Sequence, residues 1–198
     1  MKKWFLNLEK VNIVPISGGL SYLDFGQPVG ELGCFLNYEP RTLCPPTENQ
    51  IEKLKAHGVV IPDGITVEDA SVMLKRLKYD HEPPRLELIA LALGLNIKFS
   101  AFIGESGLFH SVVYDASDRD RAALYAYAVR QNMRGGSFGN MLDDPDLAKY
   151  YAFADQVLAA PALMRSLKDR TSDEFIKPYR GTAIYKAVAA YLTSEKLI

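Results

Sequence analysis

The sequence predicts a mainly helical α+β protein. Residues 46–78 carry the start and stop signals of two helices, and helical spacing of apolar residues recurs from 115 to the C-terminus. By contrast, residues 1–45 are interrupted by glycine and proline, which leaves room only for short strands. We therefore expect a Gly/Pro-rich N-terminal α/β region at 1–45, a helical hairpin at 46–78 and a mainly helical C-terminal domain at 83–198.

The N-terminal region is predicted to be irregular, with two short strands. The apolar runs at 11–16 and 34–38 lie between the glycine and proline breaks. The chain has two cysteines, Cys34 and Cys44, and their spacing leaves a bridge between them open. Two reduced thiols in a cytoplasmic protein are the expected state, because a single pair cannot form a disulfide framework.

No membrane segment is predicted. Glu9 and Lys10 interrupt the apolar start of the chain too early for a secretory signal, and no cleavage site of small residues follows. No apolar run approaches the roughly 18 residues that would span a bilayer. We therefore expect a cytoplasmic protein that does not insert into a membrane.

The first helix of the predicted hairpin has a defined start and end. Thr47 and Gln50 have the spacing of a capping box, in which each side chain satisfies a backbone N–H at the helix start. Gly58 is placed to end the helix, because glycine accepts the left-handed conformation without steric cost. A Pro-Asp-Gly turn follows at 62–64.

The second helix of the hairpin begins at Thr66, a good N-cap residue. Its apolar face is supplied by alanine, methionine and leucine at helical spacing. Three cations lie near its C-terminal end, where the helix dipole favours positive charge: Lys75, Arg76 and Lys78. The stretch 46–78 is therefore predicted to be an αα-hairpin with a basic end.

The pattern of this hairpin is T-x-x-Q-I-x-x-L-x-x-x-G-V-x-I-P-x-G-I-T-x-x-x-A-S. It resembles a small helical hairpin found in bacteriophage and mobile-element proteins, where it often sits beside domains that handle DNA. The resemblance covers only residues 46–78 of the 198. The link at 58–65 is too long for the DNA-reading helix-turn-helix, whose turn has 3–4 residues. The resemblance therefore implies an accessory role near nucleic acid, without direct groove reading.

The C-terminal domain is predicted to be helical apart from one segment. A buried helix is expected at 85–93, followed by two runs rich in aromatic and β-branched residues within 97–114. Glycines separate these runs, so a β-hairpin is predicted there, with one continuous helix as the alternative. Further helices are predicted downstream, at about 118–133, 144–158, 163–168 and 182–196.

Tyrosine and basic residues alternate through the C-terminal third of the chain. Both types are common where proteins bind one another, and together they can also stack single-stranded nucleic acid. Helix packing with phenol tips in solvent would explain much of the same pattern. The candidate binding residues are Lys75, Arg76, Lys78, Tyr125, Arg130, Arg134, Tyr150, Tyr151, Tyr179 and Arg180.

The sequence predicts no catalytic residue, no cofactor and no metal ligand. Two aspartate clusters have the residue type of a magnesium site, but both fall at predicted helix starts, where the dipole favours carboxylates. We therefore favour a structural role for both. The clusters are Asp115, Asp118 and Asp120, and Asp143, Asp144 and Asp146.

The expected function is that of a non-enzymatic phage or mobile-element accessory protein that binds a protein partner. It would regulate or inhibit a nucleic-acid-processing complex, such as a defence nuclease. Direct DNA or RNA binding is one alternative, although a net charge of −1 lacks the basic excess usual in such proteins. An unrecognised metal-dependent enzyme is the other. The sequence leaves a homodimer open.

Overall fold

A computed structural model describes residues 11–24, 44–79 and 82–198. The described residues are mainly helical, with one small antiparallel sheet near the N-terminus, which confirms the mainly helical α+β class. The chain divides into two compact units, Met1–Leu108 and Phe109–Ile198. The three-part division drawn from the sequence stays a prediction, and the strand predicted at 34–38 lies outside the described residues.

The sheet consists of two short strands, β1 (Asn12–Pro15) and β2 (Ser21–Asp24), paired antiparallel. A single 3₁₀ turn at Ser17–Gly19 joins them. Gly18 and Gly19 have φ values of 74° and 77°, a region that glycine enters without a steric penalty. β1 falls within the strand predicted at 11–16.

The turn of the sheet packs on the link of the helical hairpin. A Cβ added to Gly18 would lie 2.7 Å from Val59 Cγ2 and 2.9 Å from the His57 carbonyl oxygen. In addition, the backbone N–H of Val60 donates a hydrogen bond of 2.5 Å to Ser17 Oγ. Glycine at position 18 therefore serves both the turn and the close approach of the two segments.

The predicted helical hairpin is present as α1 (Glu48–Ala56) and α2 (Val67–Tyr79). The capping box at the start of α1 forms as predicted: Thr47 N–H donates to Gln50 Oε1 at 2.9 Å, and Gln50 N–H donates to Thr47 Oγ1 at 3.3 Å. Gly58 follows α1 with a φ of 74°. These local signals were legible in the sequence because they involve residues only three positions apart.

The start of α2 is fixed by both local and long-range hydrogen bonds. Thr66 and Asp69 cap each other, since each backbone N–H donates to the other's side chain at 3.0 and 3.2 Å. Ser100 Oγ donates to the second oxygen of Asp69 at 2.7 Å. Gln50 Nε2 donates to the Val67 carbonyl oxygen at 3.0 Å, which joins α1 to α2.

Arg76 joins α2 to the sheet. Its side chain is only 3% exposed. The guanidinium donates to the Ser21 carbonyl oxygen at 2.5 Å, to Ser21 Oγ at 2.8 Å and to the Phe102 carbonyl oxygen at 3.3 Å. Arg76 therefore serves the first unit as a structural residue, since its donors satisfy backbone carbonyls that would otherwise be buried without partners.

The β-hairpin predicted within 97–114 is wrong. After α3 (Leu86–Gly94), no strand forms in this described segment, and residues 105–115 form helix α4 (Glu105–Asp115). Leu108 and Val112 are both fully buried, and their spacing of four is helical. The aromatic and β-branched residues suggested strands, but strand preference is weak and burial on one helical face overrides it.

The second unit is built around one long helix, α5 (Asp118–Met133). All ten residues from 121 to 130 are buried, because neighbouring helices pack against this helix on several sides. The other helices of the unit are α6 (Leu147–Leu158), α7 (Pro161–Lys168), α8 (Asp173–Ile176) and α9 (Ala183–Ser194).

The four downstream helices predicted from the sequence are all present, with shifts of up to three residues at their ends. The start of α6 moves from 144 to 147, because a single 3₁₀ turn at Met141–Asp143 precedes it. The short helix α8 was not predicted. Within the described ranges, no helix is long and apolar enough to cross a membrane.

Replacing Arg76 tests its structural role in the first unit. Arg76→Ala leaves the carbonyl oxygens of Ser21 and Phe102 without their buried donor, so we expect the free energy of unfolding to fall by about 3 kcal/mol. Urea titration followed by circular dichroism measures the change. The adjacent exposed cation gives the control, Lys75→Ala, which should leave the midpoint unchanged. Equal midpoints for Arg76→Ala and the wild type would contradict this role.

Candidate binding surface

The structure separates the ten candidate binding residues by exposure. Four of them are buried and serve the interior of their units: Arg76, Tyr125, Arg130 and Tyr150. Tyr151 is half-buried and Arg134 is exposed, but both are engaged in hydrogen bonds within the second unit. The exposed candidates that remain are Lys75, Lys78, Tyr179 and Arg180.

Arg130 is the centre of a buried polar cluster in the second unit. Only 5% of the residue is exposed. The guanidinium pairs with Asp144 at 2.9 Å and with Asp146 at 2.6 Å, and it also donates to the hydroxyl of Tyr150. Its Nε donates to the Leu197 carbonyl oxygen at 3.2 Å. The cluster therefore joins the middle of the chain to its last residues.

The protonation behaviour of this cluster follows from its burial. Burial opposes the charge of Arg130, but hydrogen bonding to Tyr150 and the nearby Asp144 outweigh it, so the pKa of Arg130 is raised. Burial is the main cause that raises the pKa of Tyr150 well above its usual range. Within the cluster, Arg130 is thus a guanidinium and Tyr150 a neutral phenol at neutral pH.

Tyr125 and Tyr151 also have partners inside the second unit. The ring of Tyr125 is fully buried and packs edge-on against Phe175, with centroids 5.1 Å apart. Tyr151 donates to Asp120 at 2.8 Å, and the Arg119 guanidinium lies 4.7 Å from the centre of its ring. Burial and the bond to Asp120 raise the pKa of Tyr151 to about 12.

The aspartate clusters have structural roles as well. Asp120 N–H donates to Ser117 at the start of α5, and Asp118 pairs with Lys168 at 3.0 Å. Asp144 and Asp146 are the partners of Arg130. No group of three or more His, Cys, Asp or Glu side chains within the described ranges could hold a metal ion.

Among the residues that the structure describes, an exposed surface in each unit combines aromatic and basic side chains. The hairpin patch, in the first unit, comprises Lys75, Lys78 and Tyr79. Tyr79 is 67% exposed, and Lys78 Nζ lies 4.6 Å from the centre of its ring. Because the ring and the ammonium group already contact each other, less of their surface is free to bind another molecule.

The second surface is the 176–181 loop, which connects α8 to α9. Ile176 and Tyr179 are 61% and 65% exposed, which is high for large apolar side chains. Lys177 and Arg180 flank Tyr179 and are also exposed, whereas Pro178 is buried. An isoleucine, a tyrosine and two cations therefore face solvent within five residues.

The 176–181 loop holds Tyr179 in place through its neighbours. A Cβ added to Gly181 would lie 2.9 Å from two carbons of the Tyr179 ring, so the ring lies directly against this glycine. The Tyr179 carbonyl oxygen accepts from the Thr182 hydroxyl at 3.2 Å, and Thr182 in turn caps α9 by accepting from Tyr185 N–H at 3.1 Å. The ring is thus presented from an ordered base.

The local charge around the loop is positive. From 175 to 194 the sequence contains no aspartate or glutamate, although the whole chain has a net charge of −1. The cations of this stretch are Lys177, Arg180 and Lys186. The loop therefore presents apolar and positively charged groups, with the nearest carboxylates in sequence, Asp173 and Glu174, at the start of α8.

Sequence analysis identified part of this surface and missed the rest. Tyr179 and Arg180 were candidates, whereas Ile176 and Lys177 were not. Ile176 was missed because α8 was not predicted, so nothing indicated which of its two apolar residues, Phe175 or Ile176, would be buried. The missing acidic residues between 175 and 194 are a sequence signal that could have located the loop.

No family model, curated protein or solved structure matches this chain.

Removing Arg130 tests the buried cluster. Arg130→Ala leaves Asp144 and the Tyr150 hydroxyl buried without their shared partner, so we expect a loss of about 3 kcal/mol or more in unfolding free energy. Urea titration measures it. Arg119→Ala on the same helix removes an exposed ion pair to Asp155 and a contact with the Tyr151 ring, and should cost less than about 1 kcal/mol. A similar midpoint for both variants would show that the cluster contributes little stability.

The raised pKa of Tyr151 predicts a pH dependence. An unfolded tyrosine ionises near pH 10, whereas Tyr151 in the folded protein ionises near 12. Its stabilising contribution is therefore fully present below pH 10 and is lost as the pH rises through 12. Unfolding free energies of the wild type and Tyr151→Phe should converge over this window. Tyr179→Phe, at an exposed tyrosine, is the control. A difference in unfolding free energy between the wild type and Tyr151→Phe that stays constant with pH would contradict the prediction.

Proposed function

We propose that the protein acts by binding a partner protein, with the 176–181 loop as the anchor of the interface. The observation that supports the proposal is the presentation of Ile176 and Tyr179, each more than three-fifths exposed, from an ordered loop. Ile176 and Tyr179 lie only three positions apart, and clustered exposed apolar side chains commonly mark an interaction surface.

The composition of the loop suits a binding hot spot. Tyrosine and arginine are enriched among the residues that contribute most to protein–protein affinity. A tyrosine offers a large contact area at a low entropic cost, and the contact with Gly181 reduces that cost further by restricting the ring before binding. Ile176 adds apolar area beside it. The loop therefore has an anchor, an apolar neighbour and charges at its rim.

The charge of the loop indicates an acidic partner surface. Lys177 and Arg180 would face carboxylates of the partner, and the stretch from 175 to 194 contributes three cations and no carboxylate. Complementary charge of this kind accelerates encounter and excludes partners of like charge. We expect the association rate to fall as salt rises, with a smaller effect on dissociation.

Direct binding of single-stranded nucleic acid is the second candidate function. Tyr179 with Lys177 and Arg180 also has the composition of a site that stacks a base and neutralises phosphates. A labelled oligonucleotide distinguishes the two functions. Phosphate contacts would make log affinity fall in proportion to log salt concentration, and binding that is absent at low salt would dismiss this candidate.

The resemblance of the hairpin extends the proposal to a biological setting. On this basis, the protein is an accessory factor of phage or mobile-element character that regulates or inhibits a nucleic-acid-processing complex. We propose that it acts in the cytoplasm, where the free, exposed thiol of Cys44 would stay reduced. The protein would then contact nucleic acid only through its partner.

Affinity capture from a bacterial lysate, with and without nuclease, tests the proposed function. A partner that resists nuclease should be captured by the wild type and lost with Tyr179→Ala, which removes the anchor. In titrations with that partner, we expect Tyr179→Ala to weaken binding about tenfold or more, roughly 1.4 kcal/mol. The matched control is Tyr79→Ala, at a tyrosine of similar exposure in the hairpin patch.

A second variant tests whether the loop is preorganised. Gly181→Ala would push the Tyr179 ring away, while the backbone there needs no glycine-specific conformation. Folding should therefore be unchanged and the partner affinity lower. Full binding by Tyr179→Ala, or loss of binding with Tyr79→Ala alone, would move the interface away from the loop and contradict the proposal.

A further inference from the structure

A second feature of the Phe109–Ile198 unit is a buried guanidinium without a carboxylate partner. Arg121, in the second turn of α5, is only 8% exposed. Its Nη2 donates to the Arg170 carbonyl oxygen at 2.9 Å, while its Nε is buried and has no hydrogen-bond partner among the described residues. This arrangement differs from that of Arg130, which has two carboxylate partners.

Aromatic rings form the surroundings of Arg121. The guanidinium carbon lies 5.0 Å from the ring centre of Tyr114 and 6.0 Å from that of Phe175. Phe175 is buried, whereas Tyr114 is 39% exposed and forms the outer wall. His110, one turn earlier on α4, packs against Tyr114 with ring centres 4.3 Å apart and is itself exposed.

Two carboxylates, one near Arg121 on α5 and one beside Arg170, are committed to other groups. Asp118 pairs with Lys168 at 3.0 Å, and Glu174 pairs with Arg170 at 2.7 Å. Burial lowers the pKa of Arg121, and the nearby Tyr114 and Asp118 offset only part of this effect. Leaving a cation buried with one carbonyl acceptor and two rings is costly, since buried charges are normally paired.

We propose that Arg121, with Tyr114 and His110 at its edge, forms a binding site for a carboxylate group. The carboxylate would enter beside the exposed ring of Tyr114 and accept hydrogen bonds from the guanidinium edge. The imidazole N–H of His110 would be available to the same ligand at the solvent side. The site is independent of the proposed function, since it uses none of the exposed residues of the 176–181 loop.

A carboxylate fits this site better than a phosphate. Guanidinium and carboxylate are both planar, and the donors of a guanidinium edge match the two oxygens of a carboxylate. Asp115 and Asp118 lie at the facing ends of α4 and α5, and their charges oppose a dianion about twice as strongly as a monoanion. The rings also contact the apolar stem of an organic acid, which inorganic phosphate lacks.

Titration of small anions into the isotopically labelled full-length protein tests the site. Acetate, N-acetylglutamate amide and inorganic phosphate would each be added at constant ionic strength, with potassium chloride as the balancing salt. Nuclear magnetic resonance would follow the Nε–Hε signal of Arg121 and the backbone signals of Tyr114 and Phe175. The Nε–Hε signal of exposed Arg165 serves as an internal reference for nonspecific binding.

We expect a saturating shift at Arg121 with both carboxylates, a dissociation constant in the millimolar range, and no saturation at Arg165. Stronger binding of N-acetylglutamate amide than of acetate would identify a protein side chain as the natural source of the carboxylate. Stronger binding of acetate would identify a free organic acid as the source. An equal, unsaturated response at Arg121 and Arg165 would overturn the proposal. Saturation by phosphate alone would overturn the choice of carboxylate.

Variants separate this site from a structural role of Arg121. Arg121→Lys keeps the charge but removes the planar edge, so acetate binding at the Tyr114 and Phe175 signals should weaken at least tenfold. Tyr114→Ala should weaken it without removing the cation. Arg119→Lys, two residues away and exposed, is the matched control. Unchanged acetate affinity in the folded Arg121→Lys and Tyr114→Ala variants would contradict the site.

Discussion

The buried ion cluster of Arg130 is the interaction on which the second unit depends most. It connects the last turn of α5 to the residues before α6, through Asp144 and Asp146, and to the carbonyl oxygen of Leu197. A single guanidinium can make these contacts at once because its donors are fixed in a planar fork. The α5 helix can therefore be buried over ten consecutive residues, from 121 to 130, while the guanidinium of Arg130 at the end of this stretch is paired with two carboxylates.

The buried arginines of the chain show how one residue type can serve different purposes. Arg76 satisfies carbonyl oxygens of the sheet and of a loop, and Arg130 satisfies two carboxylates. Both are explained by the stability of their own unit. Arg121 has aromatic neighbours and one carbonyl acceptor but no carboxylate among the described residues, and this difference is what points to a ligand.

Exposure and order together distinguish the 176–181 loop. An exposed tyrosine on a mobile segment would lose much of its binding energy to the entropy of ordering. Tyr179 instead lies against Gly181, and its carbonyl oxygen is bonded to the residue that caps α9. The loop can therefore offer apolar area and positive charge from a defined position, as a binding surface requires.

Several parts of the fold were determined by local sequence. The capping box of Thr47 and Gln50, the end of α1 at Gly58 and the starts of α2 and α5 depend on residues three or four positions apart. Such signals act before any tertiary contact forms, so they could be predicted. The segment at 97–114 could not, because its strand-like composition competed with burial against the rest of the fold.

The candidate binding residues show the same division between what local sequence determines and what tertiary packing decides. The sequence by itself determined that tyrosines and cations are concentrated in the C-terminal third, and it placed Tyr179 and Arg180 among the candidates. Only the tertiary structure decided that Tyr125, Tyr150 and Arg130 face the interior while Tyr179 faces solvent. The physical reason is that an amphipathic side chain is compatible with either environment, and long-range packing selects between them.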